Sequence, residues 1–174
     1  MATKFVNDDL NRLQIVPIPL KNSEAYGSQS NELLRWLGRR WLYNIPRDQN
    51  TEGYRPLGRL ALLTHAKDVR SAIETAVAES ARYGAKAPPR VVLVGSISGG
   101  TGSGALLDLA YAVRSALRRA GLSDEGVQGV LLHSTPRSSA ERDKARASAY
   151  AALTELHHYS RPGSCVPGEN RLGA

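Results

Sequence analysis

Four glycines alternate with hydroxyl residues in SISGGTGSG (96–104), between an apolar run VVLVG (91–95) and a periodic run ALLDLAYAV (105–113). A glycine has no Cβ, so the backbone there turns through conformations closed to other residues and brings its N–H groups close to an anion. A helix that starts at this point adds unsatisfied N–H donors and a partial positive charge. The hydroxyls of Thr101 and Ser103 can cap that helix or reach a phosphate oxygen. Together these features predict a phosphate cradle made of Ser98, Gly99, Gly100, Thr101, Gly102, Ser103 and Gly104, with Gly102→Val expected to block it. A glycine-rich strand-to-helix turn also serves tight packing alone, and the spacing leaves that alternative open.

Two familiar phosphate loops fit poorly. The P-loop pattern requires lysine after its second glycine, whereas Thr101 follows Gly100 here. A dinucleotide fingerprint would place its third glycine later than Gly104 and follow with an acidic residue at the end of the next strand, yet VQGVLLH (127–133) leads into Ser134 and Thr135. Elsewhere the chemistry is sparse. His157 and His158 are adjacent on a helical stretch and diverge by about 100°, while His65 and His133 have no Cys or carboxylate at ligand spacing, so no metal site is expected. Cys165 lies in a Pro/Gly stretch without a base, and no serine sits in a nucleophile elbow. Asp108 is expected to be solvated, and Trp36 and Trp41 are expected to pack a helix.

The elements that would position the cradle follow from periodicity. Apolar residues from Leu33 to Trp41 recur at helical spacing, predicting one short helix from Asn31 to about Tyr43 that Pro46 closes. RDQNTEGYRPLGR (47–59) reads as a long exposed loop. A helix is predicted from about Ala66 to Tyr83, then a strand over 90–94 buried on both faces, as in a parallel sheet. Leu106, Leu109, Val113 and Leu117 form the stripe of a further helix that Gly121 stops. With the second strand at 127–133, this makes a βαβ unit. A last helix spans Ala140 to His158. A short strand at Lys4–Val6 and a loose tail over 161–174 complete the reading, with residues 1–50 otherwise irregular apart from the short helix.

The length of 174 residues suits a single domain. Apolar residues at 41% and charged residues at 22% exclude wholesale disorder. No apolar run approaches the roughly 20 residues of a membrane span, and the N-terminus lacks a signal-peptide centre, so a cytoplasmic protein with no membrane partner is expected. The net charge of +7 favours an anionic partner. With its basic residues dispersed and few aromatic rings to stack on, nucleic acid is disfavoured.

Read together, three segments resemble the tubulin/FtsZ superfamily. SGGTGSG (98–104) is similar to its GGGTG[ST]G phosphate loop, with Ser98 in the first position. GYRPLGR (53–59) resembles its third nucleotide-side loop, one residue short between Pro56 and Gly58, and VQGVLLHSTPR (127–137) resembles the next strand with its ribose-side loop. NDDL (7–10) resembles a remnant of the second loop, and ARASAYAALTELHHY (145–159) is most similar to bacterial tubulin-like proteins. The resemblance implies a three-layer Rossmann-like parallel sheet of the tubulin/FtsZ nucleotide-binding type, incomplete, with its GTP-binding core over 51–160. It implies GTP or GDP on the 98–104 loop, with Mg²⁺ arriving on the nucleotide. Gly58 would approach the terminal phosphate, and Arg59 would pair with phosphate or brace the loop against a carboxylate. Thr135, Glu141 and Arg146 would lie on the ribose side. Partners implied are a guanine nucleotide and either self-association or other protein subunits, in a polymer-forming or assembly-regulating role. The family's first glycine loop and its acidic hydrolysis loop have no counterpart here, so GTPase activity would require those loops and a neighbouring subunit. The expectation is an interior portion of a larger domain, or alternatively an interaction module that keeps the fold without nucleotide turnover.

Overall fold

The computed structural model describes residues 14–83, 89–136 and 138–161. The expectations for residues 4–6, 7–10 and 162–174 lie outside this set. A 3₁₀ turn at Ser23–Gln29 leads into α1 (Ser30–Leu33) and α2 (Arg39–Tyr43). The single helix expected over 31–43 is therefore two short ones. Gly38 is extended, with φ −62° and ψ 143°, and restarts the chain as the N-cap of α2. Their side chains are not a separate unit: Leu20, Tyr26, Leu33, Leu37 and Leu42 share a core with Leu57, Leu60 and Ala61.

The loop expected over 47–59 ends early, because α3 (Arg55–Thr64) starts beside Pro56, whose ring suits the first turn of a helix. Before it, Thr51–Tyr54 is a tight turn closed by the Tyr54 N–H on the Thr51 carbonyl at 2.8 Å, with Glu52 and Gly53 both at positive φ. After α3 come α4 (Ala66–Tyr83), β1 (Val91–Ser96), α5 (Gly100–Arg119), β2 (Val127–Leu132) and α6 (Ser139–Tyr159). The ends of α5 and α6 have clear local causes. Gly121, at φ +71°, lets Leu122 N–H reach back to the Leu117 carbonyl at 2.9 Å, and Leu117 packs on Leu122. At the start of α6 the Ser138 hydroxyl accepts the Glu141 N–H and donates to the Glu141 carboxylate.

β1 and β2 pair in parallel, from Val91 opposite Val127 to Ser96 opposite Leu132. On one face, Val91, Leu93 and Val127 pack against Val77, Val113, Ala116 and Leu117, while Leu93 and Leu131 also meet Leu106, Ala149 and Ala152. The other face is open: Val92, Val94, Val130 and Leu132 are 45–65% exposed. The expected burial of the strands on both faces is thus not observed among the described residues. Here the fold is mixed α/β around a two-stranded parallel sheet. No described helix is long and apolar enough to cross a membrane.

Candidate nucleotide-binding loop

The loop after β1 runs straight into the mouth of α5. Gly99 is the N-cap residue, in an extended conformation, and no side chain caps this 20-residue helix. The first-turn amides therefore lack the side-chain acceptor that an N-cap Ser, Thr, Asp or Asn would supply. A Cβ on Gly99 would meet nothing within 4 Å, so the approach to this edge is open. Thr101 beside it is exposed, its Oγ1 3.3 Å from Thr51 Oγ1 on the neighbouring turn.

The other glycines of the loop have a different cause. None is at positive φ. A Cβ on Gly102 would fall 2.2 Å from the Ser96 carbonyl oxygen, and one on Gly104 would fall 2.2 Å from that of Arg55. Gly100 lies under Thr51 and Tyr54, and a Cβ on Gly58 would fall 2.1 Å from the Gly100 carbonyl oxygen. Gly58, Gly100 and Gly104 thus let α3 and α5 cross with their backbones touching. The turning freedom expected of these glycines is not what the fold uses; it uses their lack of bulk. Gly102→Val would strike strand backbone, so it tests packing rather than ligand binding.

Ser98 is buried and joins the two strand ends. Its Oγ lies 2.7 Å from His133 Nδ1 and accepts the Ser134 N–H at 2.8 Å. Ser103 is also buried, and its hydroxyl donates to the Gly99 carbonyl inside the first turn. Arg59 grips Asp108 through two hydrogen bonds of 2.8 and 3.0 Å and lies over the Trp36 ring. Of its two expected partners, this geometry provides the carboxylate. Asp108, expected in solvent, has a side chain only 12% exposed, because Arg59 reaches it from α3. Glu141 is held in the cap of α6, whereas Thr135 and Arg146 are exposed.

Several residues near the loop were not singled out from the sequence. Lys144, on α6, donates to the Glu52 carbonyl at 3.0 Å, and Ser148 Oγ donates to the Gly53 carbonyl at 3.4 Å. Both hold the 51–54 turn that leans on Gly100. Arg55 binds Glu155 at 2.6 Å and the Ser103 carbonyl at 3.0 Å, tying α3, α5 and α6 together. Lys144 had only its place in the basic run from Arg142 to Arg146 to mark it, because the contact spans 92 residues.

At one edge there is room beside the helix mouth: open space where a Cβ on Gly99 would stand, with the exposed Thr101 hydroxyl close by, while Gly100 is buried under the 51–54 turn. A family model described as tubulin like matches residues 14–171. Neither curated proteins nor solved structures give a match to the chain. The family match includes both strands, the loop between β1 and α5, and the helices that crowd it, and so the chain belongs to the tubulin-like family.

Proposed function

We propose that this chain binds a guanine nucleotide at the mouth of α5, as the phosphate-binding portion of a polymer-forming or assembly-regulating cytoplasmic protein. The observation that carries the reading is the uncapped α5 N-terminus with open space at Gly99. A phosphate there would accept from the Gly99 and Thr101 amides and the Thr101 hydroxyl, favoured by the helix dipole. Thr135 and Arg146 remain candidates for the sugar side, and Mg²⁺ would come with the nucleotide and neutralise its phosphate charge. Ser98 and Ser103 would shape the loop from beneath, and Gly58, Gly100 and Gly104 would let α3 support it. The complete unit would be a three-layer Rossmann-like sandwich, with further chain covering the open face of the sheet. Hydrolysis would require groups from a neighbouring subunit.

Calorimetry with GTP, GDP and ATP tests this. Binding of GTP in preference to ATP is expected, with Gly99→Asp weakening it at least about tenfold through charge repulsion, some 1.4 kcal/mol, while the circular dichroism spectrum stays native. Equal GTP affinity in the folded variant would place the nucleotide elsewhere. One set of observations favours a second reading, an interaction module without nucleotide: every loop glycine except Gly99 is explained by close packing. Absence of any nucleotide binding in the folded protein would select it.

A further inference from the structure

The arginines of α3 and α5 differ from those of α2. All of those on α3 and α5 have carboxylate partners: Arg55 with Glu155, Arg59 with Asp108, Arg114 and Arg118 with Asp124, and Arg119 with Glu74. Arg39 and Arg40 on α2, and Arg47 just after it, are exposed and form no carboxylate pair among the described residues. Asp48, next to Arg47, accepts hydrogen bonds from Asn50 instead.

These free guanidiniums stand beside an ordered stack of rings and cations. Arg40 lies 4.5 Å over the Trp41 ring, Trp41 is 4.6 Å from the Tyr54 ring, and Lys144 Nζ is 4.2 Å from the other member of that ring pair. The stack joins α2, the 51–54 turn and α6. It borders a cleft of about 200 Å³ with an apolar lining of Trp41, Pro46, Tyr54 and Leu57, and with Arg40 and Asn44 on the rim. Among the described residues, Glu52 is the one carboxylate lining it.

We propose that this cleft docks an acidic peptide segment of a partner protein. One apolar side chain of the segment seats against Trp41 and Tyr54, and its carboxylates pair with Arg40, Arg39 and Arg47. The planar guanidinium fork matches a carboxylate, and apolar pockets with a few polar groups on the rim suit side-chain anchors. Other anionic partners fit less well. Trp41 and Tyr54 are tilted by 47° and each carries a cation, so the parts that line the cleft suit an aliphatic side chain better than the flat stacking a nucleobase needs. Tyr43 is the single large apolar side chain of α2 that is well exposed, too little for insertion into a lipid interface. The proposal does not depend on nucleotide binding at α5.

The test is fluorescence anisotropy on the full chain without nucleotide, using a short fluorescein-labelled glutamate-rich peptide that carries one leucine. Oligothymidylate and vesicles of phosphatidylcholine with phosphatidylserine serve as competing probes. Peptide binding should fall at least about tenfold in Arg40→Glu, the scale of a lost charge-assisted contact, and stay near wild type in Arg90→Glu, which changes net charge equally at a distant exposed site. Equal loss in both variants would show attraction to net charge alone and overturn the proposal. So would failure to bind the peptide, or binding of oligothymidylate or vesicles in its place. Should Arg40→Glu lose its native circular dichroism, Arg40→Gln is read by the same criteria.

Discussion

One methyl group separates two kinds of glycine in this chain. At Gly58 a Cβ would sit 2.1 Å from the Gly100 carbonyl oxygen and 2.8 Å from Thr101 Cα, both backbone atoms of a helix that has no room to retreat. Gly58→Ala is therefore expected to destabilise the protein by about 1–3 kcal/mol, the usual range for overpacking, seen as a lower urea midpoint. At Gly99 the same methyl meets open space, and φ −103° with ψ 171° suits alanine. Gly99→Ala should cost no more than about 1 kcal/mol, the preference of an N-cap for glycine over alanine, and so lower the midpoint less than Gly58→Ala. If both variants lose equal stability, the α3–α5 crossing does not depend on Gly58 in the way described. The sequence marked both positions as glycine. Which one faced a neighbour was invisible, because the neighbour of Gly58 lies more than forty residues along the chain.

Among the elements, α5 and α6 are the best determined locally, and their ends show it. Ser138→Ala removes the hydroxyl that caps Glu141 N–H and should cost about 1 kcal/mol in thermal or urea unfolding. At the far end of α5, the Arg114 hydrogen bond, helped by the charges of Arg114 and Arg118, holds the Asp124 carboxyl below its ordinary range. A carboxyl depressed in the folded state contributes stability above the unfolded value, near pH 4, and loses it as pH falls through the folded value. Asp124→Asn should thus lower the melting temperature at pH 7, with the gap to wild type closing at acidic pH. A gap that persists unchanged at pH 2 would show that Asp124 acts by packing rather than charge. Helix ends of this sort are legible because their signals lie within one turn. The break at Gly38 was less so, since Leu33, Leu37 and Leu42 kept a helical rhythm across it.

For the molecule as a whole, the sheet is the unfinished part. A parallel sheet is ordinarily covered on both faces, yet Val92 and Val94 are 51% and 65% exposed on the side away from the helices. Val94→Thr should change stability by no more than about 0.5 kcal/mol, as for a surface site, while reducing self-association measured by light scattering at high protein concentration. A loss of several kcal/mol, on the scale of a core truncation, would mean that this face is covered in solution. Around the sheet, four partly separate apolar clusters hold the helices together.

From the amino-acid order alone came the βαβ unit, the glycine loop at its first junction and the resemblance to the tubulin-like family, because periodicity, helix stops and short motifs are written in neighbouring residues. The tertiary structure alone decided that Arg59 holds Asp108, that Lys144 and Ser148 secure the 51–54 turn, and that the loop glycines other than Gly99 are packing contacts. Each of those outcomes depends on two backbones or side chains brought together from distant parts of the chain. Local pattern carries no information about which surfaces will meet once the apolar faces are buried.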